Sequence, residues 1–98
     1  MENKCKNPNL YMKSLSEHVL LNVTDKSITL RRNMNSEDVV DMKAVLLPIY
    51  NNLDLPDWNI SMCKYSDRYY IKLKKSDISI TDYKEAIEEI LEVAACEL

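Results

Sequence analysis

The sequence predicts an α+β domain, a two-layer sandwich in which a four-stranded antiparallel sheet carries two helices on one face in the order β-β-α-β-β-α. Three observations predict it. Apolar and polar residues alternate over 18–31 and again over 58–74, the period of half-buried strands. Apolar residues recur at three- and four-residue steps over 39–49 and 83–98, the period of helices with one buried side. The chain has 98 residues, 46% apolar and 30% charged, which suits one core and not two.

Residues 1–17 hold Asn7-Pro8-Asn9 and little periodicity, so they are read as an N-terminal arm with a helical turn around Leu10 to Leu15. A single α+β domain over 18–98 follows. In its first strand Val19, Leu21 and Val23 point one way and His18, Leu20 and Asn22 the other. Thr24-Asp25-Lys26 makes a turn, and Ile28 and Leu30 then alternate with Ser27, Thr29 and Arg31 to complete a hairpin.

Ser36 followed by Glu37 and Asp38 is a helix-start signal, a hydroxyl cap with acids near the positive end of the dipole. Val39, Met42, Val45, Leu46 and Ile49 then lie at helical spacing. Pro48 removes a hydrogen bond and crowds Ala44, so the helix is expected to kink or stop near Leu47, with Asn51-Asn52 and Pro56 closing the element.

In the second hairpin, Trp58, Ile60 and Met62 oppose Asn59, Ser61 and Cys63. Lys64-Tyr65-Ser66-Asp67 is read as the turn, and Tyr69, Ile71 and Leu73 alternate with Tyr70, Lys72 and Lys74 on the return. Trp58 is assigned to the core, because aromatic rings supply much of a small domain's buried area. Thr81 is read as the cap of the last helix, whose apolar side is Tyr83, Ala86, Ile87, Ile90, Leu91, Ala94 and Leu98.

The two halves align loosely, Thr24–Arg32 against Ser66–Lys75 with one insertion, and each leads to a hydroxyl cap. This fits an internal duplication. Hairpins and caps also resemble one another for purely physical reasons, so the alignment does not by itself establish one.

The absences narrow the chemistry. There is no glycine, and phosphate-cradling loops, dinucleotide fingerprints and nucleophile elbows all depend on it. One histidine, His18, and three scattered cysteines, Cys5, Cys63 and Cys96, offer no pair at metal-ligand spacing. No metal, no cofactor and no enzymatic activity are expected. His18 and Cys63 share a face by parity, which leaves a thiol–imidazole pair as the weakest of the candidates.

An odd cysteine count, no apolar leader and no long apolar run predict a cytoplasmic protein without membrane contact. Nine Asn and eight Ile beside four Ala suggest AT-rich coding, as in many phages, viruses and low-GC bacteria.

Charge is segregated along the chain. The net values are +3 over 1–36, −4 over 37–57, +4 over 58–75 and −6 over 76–98, for a total of −3. Hairpins are therefore basic and helices acidic. One candidate surface is the last helix, where Glu85, Glu88, Glu89 and Glu92 would dock on a basic groove or imitate a phosphate backbone. The other is the open sheet face, where Arg31, Arg68, Tyr70, Lys72 and Lys74 would meet an anionic partner.

Each candidate has a plainer alternative. The acidic stripe is also an ordinary solvated helix face, and strand lysines also discourage edge pairing. Leu20 sits on the open face, where with Leu10, Tyr11 and Met12 it would form an apolar patch for a partner or a homodimer, unless the arm folds back over it. The functional expectation is a small inhibitor, adaptor or chaperone-like module that binds another protein by surface contact. The alternative is nucleic-acid binding by the basic, tyrosine-containing second hairpin.

Overall fold

The computed structural model describes residues 10–34 and 40–98. Its elements are β1 (Tyr11–Ser14), β2 (Val19–Val23), β3 (Ile28–Arg32), α1 (Met42–Asn52), β4 (Asn59–Tyr65), β5 (Arg68–Lys74) and α2 (Ile80–Glu97). The protein is α+β, with one antiparallel sheet in the order β1-β2-β3-β5-β4. Among the described residues no helix is long and apolar enough to cross a membrane.

The sheet has five strands, not four. The extra one, β1, comes from the stretch read as an arm, and where a helical turn was expected the backbone is extended. All four of its side chains are exposed, so it carries no apolar alternation to betray it. Backbone pairing with β2 and a polar clamp hold it instead. Buried Asn33 donates from Nδ2 to Ser14 Oγ at 3.0 Å and to the Ser16 carbonyl at 3.1 Å, tying β1 and the loop after it to the end of β3.

Strand parity sets the core. Val19, Leu21 and Val23 of β2, Ile28 and Leu30 of β3, and Ile71 and Leu73 of β5 share one side of the sheet and are buried. They join a single cluster with Met42, Leu46 and Ile49 of α1, Trp58 ahead of β4, and Ala86, Ile90 and Val93 of α2. Tyr83 anchors α2 to the β2–β3 turn by donating its hydroxyl to the Thr24 carbonyl at 2.7 Å.

Both helix starts differ from expectation. Ser36, Glu37, Asp38 and Val39 lie outside the described residues, and the cap of α1 is Asp41, whose carboxylate accepts from the amides of Lys43 and Ala44. Of the kink or stop expected near Leu47 the stop does not occur: the helix runs through Pro48 and ends at Asn52, within the Asn51-Asn52 pair read as its close. Proline costs it the bond to the Ala44 carbonyl, but Leu46 and Ile49 on either side are fully buried, and that burial keeps the turn helical. Asn52 Nδ2 donates back to the Pro48 carbonyl at 2.7 Å.

The cap of α2 is Ser79, not Thr81. Ser79 Oγ accepts from the Asp82 amide at 3.1 Å while Asp82 Oδ2 accepts from the Ser79 amide at 2.9 Å, a reciprocal box that Thr81 cannot form with its own third neighbour, Lys84. Lys75 Nζ completes the arrangement 2.8 Å from Asp82 Oδ1. The Lys75 hydrogen bond, then the Ser79 amide, hold the Asp82 carboxyl down to about 2.

Ser79→Ala should therefore destabilise the protein by about 1 kcal/mol in urea unfolding, with Thr81→Ala near neutral; the reverse order would restore Thr81 as the cap. Because the folded-state pKa of Asp82 lies below its ordinary 3.8, its contribution is fully present above that value and disappears as pH falls towards 2. Asp82→Asn should accordingly flatten the acid limb of the stability–pH curve in that window, as thermal melts at stepped pH will show.

Candidate binding face

The strand positions pointing away from the core cluster form a second face of the sheet. The register places Met12 and Ser14 of β1, Leu20 and Asn22 of β2, Thr29 and Arg31 of β3, and Asn59, Ser61, Cys63 and Tyr65 of β4 on it. From β5 it takes Arg68, Tyr70, Lys72 and Lys74. None of these positions is Asp or Glu, although the chain holds 16 acidic residues.

Alternate residues of β5 stand roughly 6.8 Å apart along the strand, so Arg68, Tyr70, Lys72 and Lys74 form a row. Lys72 is flanked by Thr29 on one side and Ser61 on the other; Lys74 faces Asn59, Tyr70 faces Cys63, and Arg68 faces Tyr65. Among the described residues no hydrogen bond or ion pair engages Arg31, Arg68, Lys72 or Lys74. A cation left unpaired on a face without carboxylates keeps its full field towards solvent.

The ladder between β3 and β5 ends at Leu30 and Ile71, while both strands run on. A cavity of about 670 Å³ opens where they part, lined by Thr29, Arg31, Arg32, Met34, Val40, Asp41, Met42, Tyr65, Asp67, Arg68, Tyr69 and Tyr70. Asp41 is committed to the α1 cap. Tyr69, on the core side, has Lys43 and Lys64 over its ring with the ammonium nitrogens 5.8 and 5.5 Å from the centroid. The charge of the Cys63 sulfur, then burial, then a hydrogen bond with that sulfur push the Tyr70 phenol above its ordinary value, so it remains a neutral hydroxyl at neutral pH.

The five residues singled out for an anionic partner, Arg31, Arg68, Tyr70, Lys72 and Lys74, thus share one face. Tyr65 was missed. Read as part of the turn, it belongs to β4; the turn is Ser66-Asp67, with Ser66 in the left-handed region at φ 58°. Tyr65 is 76% exposed. Extending the β4 alternation by two residues places it with Cys63, and that signal was available in the sequence.

Leu20 is only 7% exposed, which withdraws it from the apolar patch expected with Leu10, Tyr11 and Met12. Those three remain exposed around β1. The thiol–imidazole pairing fails on topology. His18 leads into β2 and Cys63 lies in β4, three interstrand steps of about 4.8 Å away across the sheet. Among the described residues no group of three His, Cys, Asp or Glu side chains comes together as a metal site would need.

On α2, Glu85, Glu88 and Glu92 are exposed. Glu89 is not a free member of that stripe, because its Oε2 accepts from the Asp54 amide at 2.9 Å and secures the loop after α1. Compared with known proteins, the chain matches no family model, no curated protein and no solved structure.

Replacing Cys63 by Ser should bring the Tyr70 phenol back towards its ordinary value, since the sulfur's charge is the largest cause of its rise. Ring-carbon NMR titration of the tyrosines will read this directly; an unmoved Tyr70 would mean that burial dominates.

Proposed function

We propose that the protein is a non-enzymatic, cytoplasmic binding module that works by surface contact, and that the second face of the sheet meets an anionic macromolecular surface. The supporting observation is the row Arg68, Tyr70, Lys72 and Lys74 with Arg31 beside it, on a face with no Asp or Glu among its strand positions. This reading takes the molecule as two layers, both helices on one side and the contact face on the other. A net charge of −3 does not oppose it, because the partner meets the local field and not the total.

A second reading makes α2 the contact surface, with Glu85, Glu88 and Glu92 entering a basic groove of a protein partner in the manner of a small inhibitor or adaptor. Their common exposure on one side of the helix favours it. The loss of Glu89 to Asp54 weakens it. On either reading function resides in charge and shape.

The two readings separate on a polyanion column. At low salt and neutral pH the protein should be retained on immobilised heparin despite its net charge. Lys72→Glu/Lys74→Glu should pass through, while Glu88→Gln/Glu92→Gln should elute no earlier than the unaltered protein. Passage of the unaltered protein in the void would remove the cationic face from consideration.

A further inference from the structure

Resting on the reading of the cationic sheet face as the contact surface, we infer that its partner is a single-stranded nucleic acid, one base of which is held at the cleft between β3 and β5. Charge alone does not select this partner over an acidic protein patch. The groups set among the charges do.

Tyr65 and Tyr70 lie diagonally across the β4–β5 hairpin on the same face, Tyr65 opposite Arg68 and Tyr70 opposite Cys63. An exposed ring at a hairpin end contributes nothing to the core, and at 76% exposure Tyr65 is solvated on most of its surface. Beside it the cleft of about 670 Å³ has Arg31, Arg32 and Arg68 in its lining together with both rings, against two carboxylates, Asp67 of the turn and Asp41, which caps α1; its size is within the usual range for small-ligand sites. Flat apolar surface flanked by guanidinium groups suits a base with its neighbouring phosphates, because rings stack on bases while arginines meet phosphate oxygens.

An acidic protein surface presents carboxylates but no planar ring system to fill this space. A duplex presents phosphates but keeps its bases stacked inside, out of reach of the cleft. Only an unpaired strand offers both at once. Lys72 and Lys74 continue the cationic row away from the cleft along β5, which gives the backbone of the same strand a path. Thr29, in the cleft lining and next to Lys72, adds a hydroxyl that can donate to or accept from a base edge.

The test is fluorescence anisotropy with short single-stranded DNA and RNA oligonucleotides of mixed sequence and a duplex of equal length, at low and near-physiological salt. Single strands should bind more tightly than the duplex, and affinity should fall steeply with salt. Tyr65→Ala should weaken single-strand binding roughly tenfold, as loss of one stacked base does. Tyr65→Phe should retain it, and the exposure of Tyr65 leaves the fold indifferent to either change.

Heparin retention with no preference for single strands over duplex would overturn the inference and leave the cationic face as a surface for polyanions in general. Single-strand binding indifferent to Tyr65→Ala would remove the base from the cleft. Failure to bind both heparin and oligonucleotides would overturn the inference and the reading beneath it together.

Discussion

The layer of apolar side chains on one side of the sheet is the constraint from which the rest of the molecule follows. Leu21, Ile28, Leu30, Ile71 and Leu73 are fully buried there, and each stabilises the fold by roughly 2 kcal/mol relative to an exposed position. Because strand side chains alternate, sinking these residues forces every intervening one to the opposite face. Thr29, Tyr70 and Lys72 are where they are because Ile28, Leu30, Ile71 and Leu73 must be inside. A slip of one residue in the β3–β5 register would bury Lys72 and expose Ile71, so the core fixes the charged face as firmly as it fixes itself.

The same constraint explains how charge is shared between the helices and the sheet. Helices that lend one side to the core keep the other for solvent, and α2 fills that side with Glu85, Glu88 and Glu92. With acids concentrated there and in the segment around α1, the strand positions opposite the core are left to cations, uncharged polar residues, Tyr65, Tyr70, Cys63 and the apolar Met12 and Leu20. The absence of glycine has its own local consequence. Ser66 and Asp77 occupy the left-handed region at φ 58° and 52°, positions that ordinarily favour glycine and that cost another residue about 1 kcal/mol. At Ser66 that conformation allows a two-residue turn, and the short turn lets β4 run on through Tyr65.

Strands and helices with a buried side were legible because burial writes a period into the sequence. β2, β3, β4, β5 and α2 were all visible in this way, and so was the grouping of Arg31, Tyr70, Lys72 and Lys74. β1 was not, since an exposed strand held by backbone bonds and by Asn33 leaves no periodic trace. Continuation of α1 through Pro48 was hidden because tertiary burial of Leu46 and Ile49 outweighed a local penalty. Ser79 as the cap of α2 was legible, because its reciprocal partner Asp82 stands three residues on, where Thr81 has Lys84. The cleft could not be read, because it depends on where the β3–β5 ladder ends, which no local pattern records.

The central claim, that the face opposite the core is the contact surface, is tested most directly by amide and side-chain NMR of the labelled protein during titration with a short heparin oligosaccharide. The account predicts shifts confined to Arg31, Arg68, Tyr70, Lys72, Lys74 and their strand neighbours, with Glu85, Glu88 and Glu92 of α2 unmoved. Shifts centred on α2, or spread evenly over the sheet and α2, would contradict it.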